Sequence, residues 1–323
     1  MFRTEIEESK SSIQIDYSTQ LVSLGSCFAQ NIGHKLVEGK FQNCLNPLGI
    51  SFNPISIFEL IQRALLQDTD ISDFHTKRDG LFYNFKLHSN FRQEDPASLE
   101  EQSLRGFGTL KEALENTELV ILTFGTAWVY ERIADESIVS NCHKRPSSEF
   151  KKRLLTIEEI ISQFFEMKES LEKVNPKAQI LLTVSPVRHT KETLEGNSVS
   201  KSILRTACHY LAEMTEDTQY YPAYEIMLDD LRDYRFYESD LIHPNEQGRQ
   251  YIWDHFRKTF FNQNTETTYQ KWSKLQRSMN HKPFNPKSKA HRKFLMKTLL
   301  EIEQLNHKLD LKDEIKKLKT QLA

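Results

Sequence analysis

The feature that most constrains the fold is an alternation of near-continuous apolar segments with amphipathic helical ones. Three apolar segments, "LVSL" (21–24), "ELVILTF" (118–124) and "AQILLTVSP" (178–186), have the length and content of buried strands. Helical spacing of apolar residues predicts helices from Cys27 onward and over 54–66, 156–174, 198–214 and 245–261. Strands that are apolar on both faces and alternate with helices predict a mostly parallel sheet between helical layers, a three-layer α/β/α fold.

Two segments outside this pattern predict β-hairpin insertions, one over 72–90 and one over 127–145. In the first, Asp79-Gly80 separates two β-prone flanks, which is a strong hairpin signal. The α/β pattern stops near Asn262. We therefore predict an α/β domain over residues 1–262, followed by a basic linker and helical tail over 263–323.

The tail differs from the rest of the chain in charge. Residues 271–323 hold 14 Lys/Arg against 5 Asp/Glu, whereas residues 1–270 hold 29 against 40. Leucines and isoleucines at heptad spacing form an apolar stripe that is offset at 309–311. An isolated helix of this kind is marginal, so the stripe should pack on something. Three arrangements are open: pairing with a second copy, docking on the acidic body, or a short helical hairpin.

Composition excludes several classes of protein. The four cysteines form neither a C-x-x-C pair nor a disulfide framework, so a structural zinc site is not expected. Neither a secretory signal nor a membrane helix is predicted, which favours a cytosolic protein with reduced thiols. No glycine-rich phosphate cradle appears. We expect no metal or organic cofactor, no membrane partner and no nucleic acid partner.

The candidate for chemistry in the first half of the chain is "GSCFA", residues 25–29. Ser26 directly follows a buried strand and begins a helix, where amide groups and the helix dipole favour negative charge. That arrangement suits a nucleophile beside oxyanion donors, but serine is also a common helix N-cap. Cys27 lies one residue into the helix, turned by about 100°. Packing is the expected role of Cys27, since a reactive thiol needs exposure and a nearby base.

The second candidate is "DLIH", residues 240–243, directly before the last helix of the domain. Asp240 can orient the imidazole of His243, which can accept a proton from a serine. Together with "GSCFA", the segments "NPLGISFNP", "LTFGTAWVY" and "TVSPVRH" resemble the GSCFA family over roughly 20–260. That family is similar to the SGNH/GDSL hydrolases, whose serine follows the first strand and whose Asp-x-x-His precedes the last helix. The resemblance implies a flavodoxin-like arrangement of the three layers.

The resemblance also implies roles for individual residues. Ser26 would be the nucleophile, His243 the general base and Asp240 its partner. The conserved glycine of the second hydrolase block falls on Gly49, and the third block falls on Gly125-Thr126-Ala127. Ala127 therefore stands where those hydrolases have an asparagine, and it has no side-chain donor.

The missing donor leaves the oxyanion hole incomplete, and losing one such donor can cost about 3–4 kcal/mol. Asn46, Asn53 and the Trp128 indole are candidates to replace it, with no spacing argument to separate them. Arg188 and His189 follow the 178–186 strand and are expected at the rim of the site, Arg188 to hold an anionic substrate group.

Two functions from different classes follow. The first is a serine esterase or acyltransferase acting through an acyl-serine intermediate on a small-molecule or carbohydrate ester; the carbohydrate rests on fold analogy with the wider superfamily. The second is a weak or inactive binding module on the same fold, assembled through its helical tail. Ala127 favours the second, and the joint presence of Ser26, Asp240 and His243 favours the first.

Overall fold

The computed structural model describes residues 3–322 and has the predicted α/β architecture. Its first half alternates helices and strands, with two small antiparallel sheets inserted. The elements are β1 (Gln20–Gly25), α1 (Cys27–Glu38), β2 (Gln42–Leu45), α2 (Pro54–Leu66), β3 (His75–Arg78), β4 (Leu81–Asn84), β5 (Arg92–Gln93), α3 (Pro96–Asn116), β6 (Leu119–Phe124), β7 (Trp128–Arg132), β8 (Ile138–Val139) and β9 (Phe150–Leu154).

The second half is mainly helical. Its elements are α4 (Ile157–Val174), β10 (Gln179–Val184), α5 (Thr193–Met214), β11 (Thr218–Tyr221), α6 (Ala223–Glu225, continued by a π-helix over Ile226–Asp230), α7 (Glu246–Phe260), α8 (Gln263–Asn280), α9 (Lys289–Leu305) and α10 (Lys312–Leu322). Helix α3 lies in a segment for which the sequence analysis made no assignment, and α8 lies at the start of the segment predicted as a basic linker and helical tail.

The central sheet has the strand order β11-β10-β6-β1-β2, and β1, β6, β10 and β11 pair in parallel. This is the flavodoxin-like order, in which the connections reverse direction between β1 and β6. All six residues of β6 are buried, as expected for a strand covered on both faces. Crevices at such reversal points, at the carboxyl ends of the strands, are the usual ligand sites of open α/β sheets.

The main core packs one face of this sheet against helices α2 to α5. Alternate strand residues, among them Val22, Leu122 and Leu182, enter one hydrophobic cluster with residues of these helices. Local signals explain several helix starts: Asn53 caps α2 with Pro54 in the first turn, and Thr156 and Glu159 form a capping box at α4. The segments predicted as hairpins are three-stranded sheets, β3-β4-β5 and β8-β7-β9, with Asp79 and Gly80 at positive φ in the first turn.

The described chain divides into two compact units. The first comprises residues up to 7, 20–34 and 43–254, and it contains the central sheet. The second comprises 8–19, 35–42 and 255 onward. The boundary predicted at residue 262 stays a prediction.

In the second unit the apolar stripe of the tail is buried within this chain. Leu295, Ile302 and Leu318 share a cluster with Trp272 and Leu275 of α8. The offset at 309–311 falls in the turn between α9 and α10, so these two helices form the short hairpin that was one of the three open arrangements. Pairing with a second copy stays a prediction.

Over residues 3–322, every helix is either too short or too polar to cross a lipid bilayer. The four cysteines Cys27, Cys44, Cys142 and Cys208 are free thiols.

Candidate active site

Ser26 lies at the reversal point of the sheet, between the end of β1 and the first residue of α1. It is 2% exposed. Its amide donates to the Thr123 carbonyl of β6 at 3.2 Å, and its Oγ accepts from the Phe28 amide at 3.3 Å. Ser26 is therefore a helix N-cap by geometry, in the position that the resemblance implies for a nucleophile.

The turn before Ser26 requires glycine. Gly25 has φ +135°, and a Cβ on it would stand 2.2 Å from the Thr123 carbonyl oxygen. Its amide donates to Asn46 Oδ1 at 2.9 Å. The strand can therefore turn sharply into α1 beside β6 only because residue 25 has no side chain.

Cys27 is half-buried in the first turn of α1. Burial raises the pKa of its thiol above the usual value. The thiolate, which is the reactive form, is therefore disfavoured, in line with the packing role expected for this residue.

Asp240 and His243 form a compact pair on the exposed loop before α7. Asp240 Oδ2 and His243 Nδ1 are 2.7 Å apart, and Asp240 Oδ1 accepts from the amides of Ile242 and His243 at 2.8 and 3.0 Å. The hydrogen bonds from His243 and from these amides lower the pKa of Asp240 to about 2. A charged carboxylate on Nδ1 holds the proton there and leaves Nε2 as the acceptor.

Arg188 ties this loop to the end of β10. Its amide donates to the Ile242 carbonyl at 3.3 Å, and its Nη1 donates to the Leu241 carbonyl at 3.2 Å. The guanidinium also lies 4.2 Å above the ring centre of Tyr237. The structure thus gives Arg188 a positioning contact that the sequence analysis did not anticipate. Within residues 3–322, Ser26 and His243 share no direct hydrogen bond; such contacts are often long in ligand-free sites and shorten with substrate.

The resemblance places Gly49, Gly125 and Thr126 in the oxyanion and substrate-binding region, but their backbone amides already have acceptors inside the protein. Gly49 donates to the Asn46 carbonyl at 2.8 Å, and Gly125 and Thr126 donate to the Phe52 carbonyl at 2.7 and 3.0 Å. These residues hold the loops at the sheet edge in place. The Ser26 amide, as noted, is engaged with β6.

Two of the three side chains considered as replacements for the missing donor are engaged as well. Asn46 Nδ2 donates to Gln30 Oε1 at 2.9 Å, and the Trp128 indole donates to the Gly196 carbonyl at 3.2 Å. Asn53 Nδ2 makes one hydrogen bond, to Ser56 Oγ at 3.0 Å, so one of its two amide hydrogens remains.

His189 lies directly beside Ser26. A Cβ placed on Gly125 would be 3.2 Å from His189 Nε2 and 3.3 Å from Ser26 Cβ, so both side chains lie next to this glycine. The ring packs edge-on against Phe52, with centroids 5.8 Å apart. Burial, and then the charges of Lys201 and His243, lower the pKa of His189 to about 3. His189 is therefore a neutral imidazole at physiological pH.

Lys201 is a residue of this region that sequence reasoning missed. It is 1% exposed, and its Nζ donates to the carbonyls of Gly125 and Ser185, each at 2.6 Å. Burial lowers the pKa of Lys201 to about 7. The signal was in the sequence: Lys201 falls on the buried face of α5 with Leu204 and Cys208, at helical spacing.

A cavity of about 620 Å³ lies between this sheet edge and the β8-β7-β9 sheet. It is lined by Phe52, Asn53, Thr126, Trp128, Tyr130, Arg188, His189 and Ile242, among others. Five predicted site residues or replacement donors therefore share one cavity: Asn53, Thr126, Trp128, Arg188 and His189. Among residues 3–322 no three His, Cys, Asp or Glu side chains gather as metal ligands.

Two models of protein families match this chain. The model of the GSCFA family matches residues 20–256, and the model described as "GSCFA domain protein, C-terminal domain" matches residues 272–323. No curated protein matches the chain.

Proposed function

Because the chain belongs to the GSCFA family, we propose that it is a serine esterase or acyltransferase that forms an acyl-Ser26 intermediate. The observation that carries this proposal is the Asp240–His243 pair. The carboxylate engages Nδ1, which leaves Nε2 open. Ile242, which lies between Asp240 and His243 in the sequence, lines the same cavity as His189. His189 and Ser26 both lie next to Gly125.

In the proposed reaction, Ser26 Oγ attacks the carbonyl carbon of an ester and His243 Nε2 accepts the hydroxyl proton. The tetrahedral intermediate collapses, the bond to the leaving alcohol breaks, and His243 returns the proton to that alcohol. Water or a second alcohol then attacks the acyl-Ser26 by the same steps in reverse. Transfer to water makes the protein an esterase, and transfer to another alcohol makes it an acyltransferase.

The cavity, which His189 and Ile242 line but Ser26, Asp240 and His243 do not, is the proposed site for a small-molecule or carbohydrate ester. Its volume of about 620 Å³ fits one or two sugar rings with an acyl group, within the usual range for ligand pockets. Trp128 and Tyr130 provide aromatic walls, while Asn53 and Thr126 provide polar groups beside them. Aromatic surfaces with a few placed polar groups are a common way to bind such ligands.

Turnover of p-nitrophenyl acetate tests the proposal. We expect hydrolysis that a serine-directed phosphonate abolishes and that Ser26→Ala removes. Cys27→Ala is the matched control and should keep most of the activity, since its thiol is half-buried with a raised pKa. Hydrolysis that survives Ser26→Ala but not Cys27→Ala would contradict the serine assignment.

A binding module is the second candidate, favoured by one observation. The amides of Ser26, Gly49, Gly125 and Thr126 all have internal acceptors, so they form no ready oxyanion hole. If wild-type protein binds carbohydrate esters in a calorimeter but turns over neither these nor p-nitrophenyl acetate, the binding function replaces the enzymatic one.

Assembly and location remain part of the proposal. We infer a cytosolic protein, which its four free thiols support. Homo-oligomerisation through the C-terminal helices is tested by light scattering on the full chain and on a chain ending before residue 288. A full chain with the mass of a dimer supports it if the shorter chain is a monomer, and a monomeric full chain contradicts it.

A further inference from the structure

Acyl transfer needs hydrogen-bond donors at the point where negative charge develops on the carbonyl oxygen. In this chain Ala127 removes the side-chain donor, and the amides of Ser26 and Gly49 point at other acceptors. Asn53 keeps one free amide hydrogen, but of the two side chains His189 is the one whose nitrogen lies next to Gly125 and Ser26.

We propose that the His189 imidazole, as a neutral Nε2–H donor, stabilises the oxyanion in place of the missing asparagine. This inference rests on the function proposed above. It names a catalytic residue, since the donor would contact the reacting oxygen itself.

Position is the first support. His189 Nε2 and Ser26 Cβ each lie within 3.3 Å of the point where a Cβ on Gly125 would stand. The ring nitrogens of His189 make no hydrogen bond to residues 3–322, although its own amide is fixed by Asn197 Oδ1 at 2.9 Å. The backbone is thus anchored, while the ring is open to the cavity.

The charge state is the second support. A histidine acting as general base must become an imidazolium, and burial together with Lys201 and His243 opposes that charge on His189. The same surroundings favour a neutral ring that keeps its proton and can donate it in a hydrogen bond. The two histidines therefore divide the work: His243, held by a carboxylate, exchanges the proton, and His189 donates without titrating.

Orientation is the third support. Lys201 Nζ donates to the carbonyl of Gly125, the residue next to His189 and Ser26, and to that of Ser185 at the end of β10. Phe52 packs edge-on against the ring and accepts the amides of Gly125 and Thr126 on its carbonyl. These contacts fix the backbone at Gly125 and cover one side of the His189 ring, which keeps the donor near Ser26 before substrate binds.

Two substitutions test the donor role with p-nitrophenyl acetate. His189→Gln keeps an amide N–H near the position of Nε2, whereas His189→Leu keeps bulk and removes the donor. We expect His189→Leu to lower kcat by about 10²–10³-fold with little change in KM, and His189→Gln to restore at least a tenth of the wild-type kcat. The acid limb of the pH–rate profile should stay in both variants and disappear only when His243 is replaced.

The results that would contradict the inference are specific. Wild-type kcat in both variants, or equal loss in both with native circular dichroism, overturns the donor role. Loss of the acid limb in His189→Gln makes His189 the base instead. If His189→Leu does not fold, a His189→Gln kcat below a hundredth of wild type counts against the inference. Turnover that depends on Ser26 but not on residue 189 leaves the proposed function standing, whereas no Ser26-dependent turnover in wild type removes both.

Discussion

Ser26 is buried at the sheet edge with its amide and hydroxyl engaged, whereas His243 lies on an exposed loop. The serine side is held by long-range contacts from β6. The histidine side is held mainly within its own loop, by Asp240 and by the return hydrogen bond from the Glu238 amide to the His243 carbonyl at 2.8 Å.

This difference predicts that the loop carrying His243 is more mobile than the sheet edge carrying Ser26. A buried side built on strand ends keeps its geometry, whereas an exposed loop can move at little cost in buried contacts. Arg188, which contacts Leu241 and Ile242, is the link between them. We expect substrate to draw His243 to Ser26, with the serine side as the fixed reference.

Removing the proposed nucleophile, Ser26, should cause the largest loss of activity. Ser26→Ala should lower kcat by at least ~10⁴-fold, since loss of a nucleophile removes the covalent route altogether. The fold should persist, because loss of an N-cap costs only about 1 kcal/mol. Hydrolysis rates and thermal melts of the two proteins check this, and an active Ser26→Ala enzyme would place the nucleophile elsewhere.

Substitution of Asp240, on the exposed loop with His243, should cause the second largest loss of activity. Asp240→Asn should lower kcat by about 10²–10⁴-fold, because Asp240 holds the proton on His243 Nδ1. Activity in wild type should fall in acid, because a protonated His243 can no longer accept the serine proton. Asp240 keeps its charge there, since its pKa is about 2. A pH–rate profile without an acid limb, with chemistry rate-limiting, would argue against a histidine base.

Adding a methyl group at Gly125, next to Ser26 and His189, should cause a moderate loss of activity. Gly125→Ala would place a methyl group 3.1 Å from the Phe52 carbonyl oxygen, 3.2 Å from His189 Nε2 and 3.3 Å from Ser26 Cβ, so these neighbours must move by a few tenths of an ångström. We expect a loss in kcat of up to about 10-fold, less than the roughly 100-fold that a displacement of about 1 Å can cost. Gly108→Ala in α3 is the matched control, because nothing lies within 4 Å of its new Cβ. Equal activity in both variants would show that the space next to Ser26 and His189 is not used.

The smallest effect is expected in the pH dependence of stability, to which the buried amine of Lys201 contributes. Its pKa is about 7 in the folded protein and 10.5 when exposed, so the unfolded chain binds the extra proton between these values. Stability should therefore rise with pH from 7 to 10.5 in wild type, relative to Lys201→Met. Denaturant unfolding at pH 7 and 9 measures this, with Lys177→Met, an exposed lysine, as control. Parallel curves for wild type and Lys201→Met would refute the assignment.

Sequence patterns anticipated what is local in this molecule. The strands that precede Ser26 and His189, the α2 and α4 helices, and the Asp240–His243 spacing are all set by residues close in the chain.

Contacts between distant segments were beyond sequence reasoning. The engagement of Asn46 with Gln30, of Trp128 with Gly196 and of Lys201 with Gly125 depends on how the loops meet at the sheet edge. The proximity of His189 to Ser26 likewise depends on the order of β1, β6 and β10 in the sheet. For the same reason, the three candidate replacement donors could not be separated from spacing alone.

Covalent labelling tests the central claim most directly. A fluorophosphonate reacts with an activated serine and remains attached, so peptide mapping by mass spectrometry identifies the residue. We expect a single adduct on Ser26, formed quickly in wild type and in Cys27→Ala, and slowly or not at all in His243→Ala. No adduct on Ser26 under conditions that label a known serine esterase, or an adduct on another residue, would contradict the account.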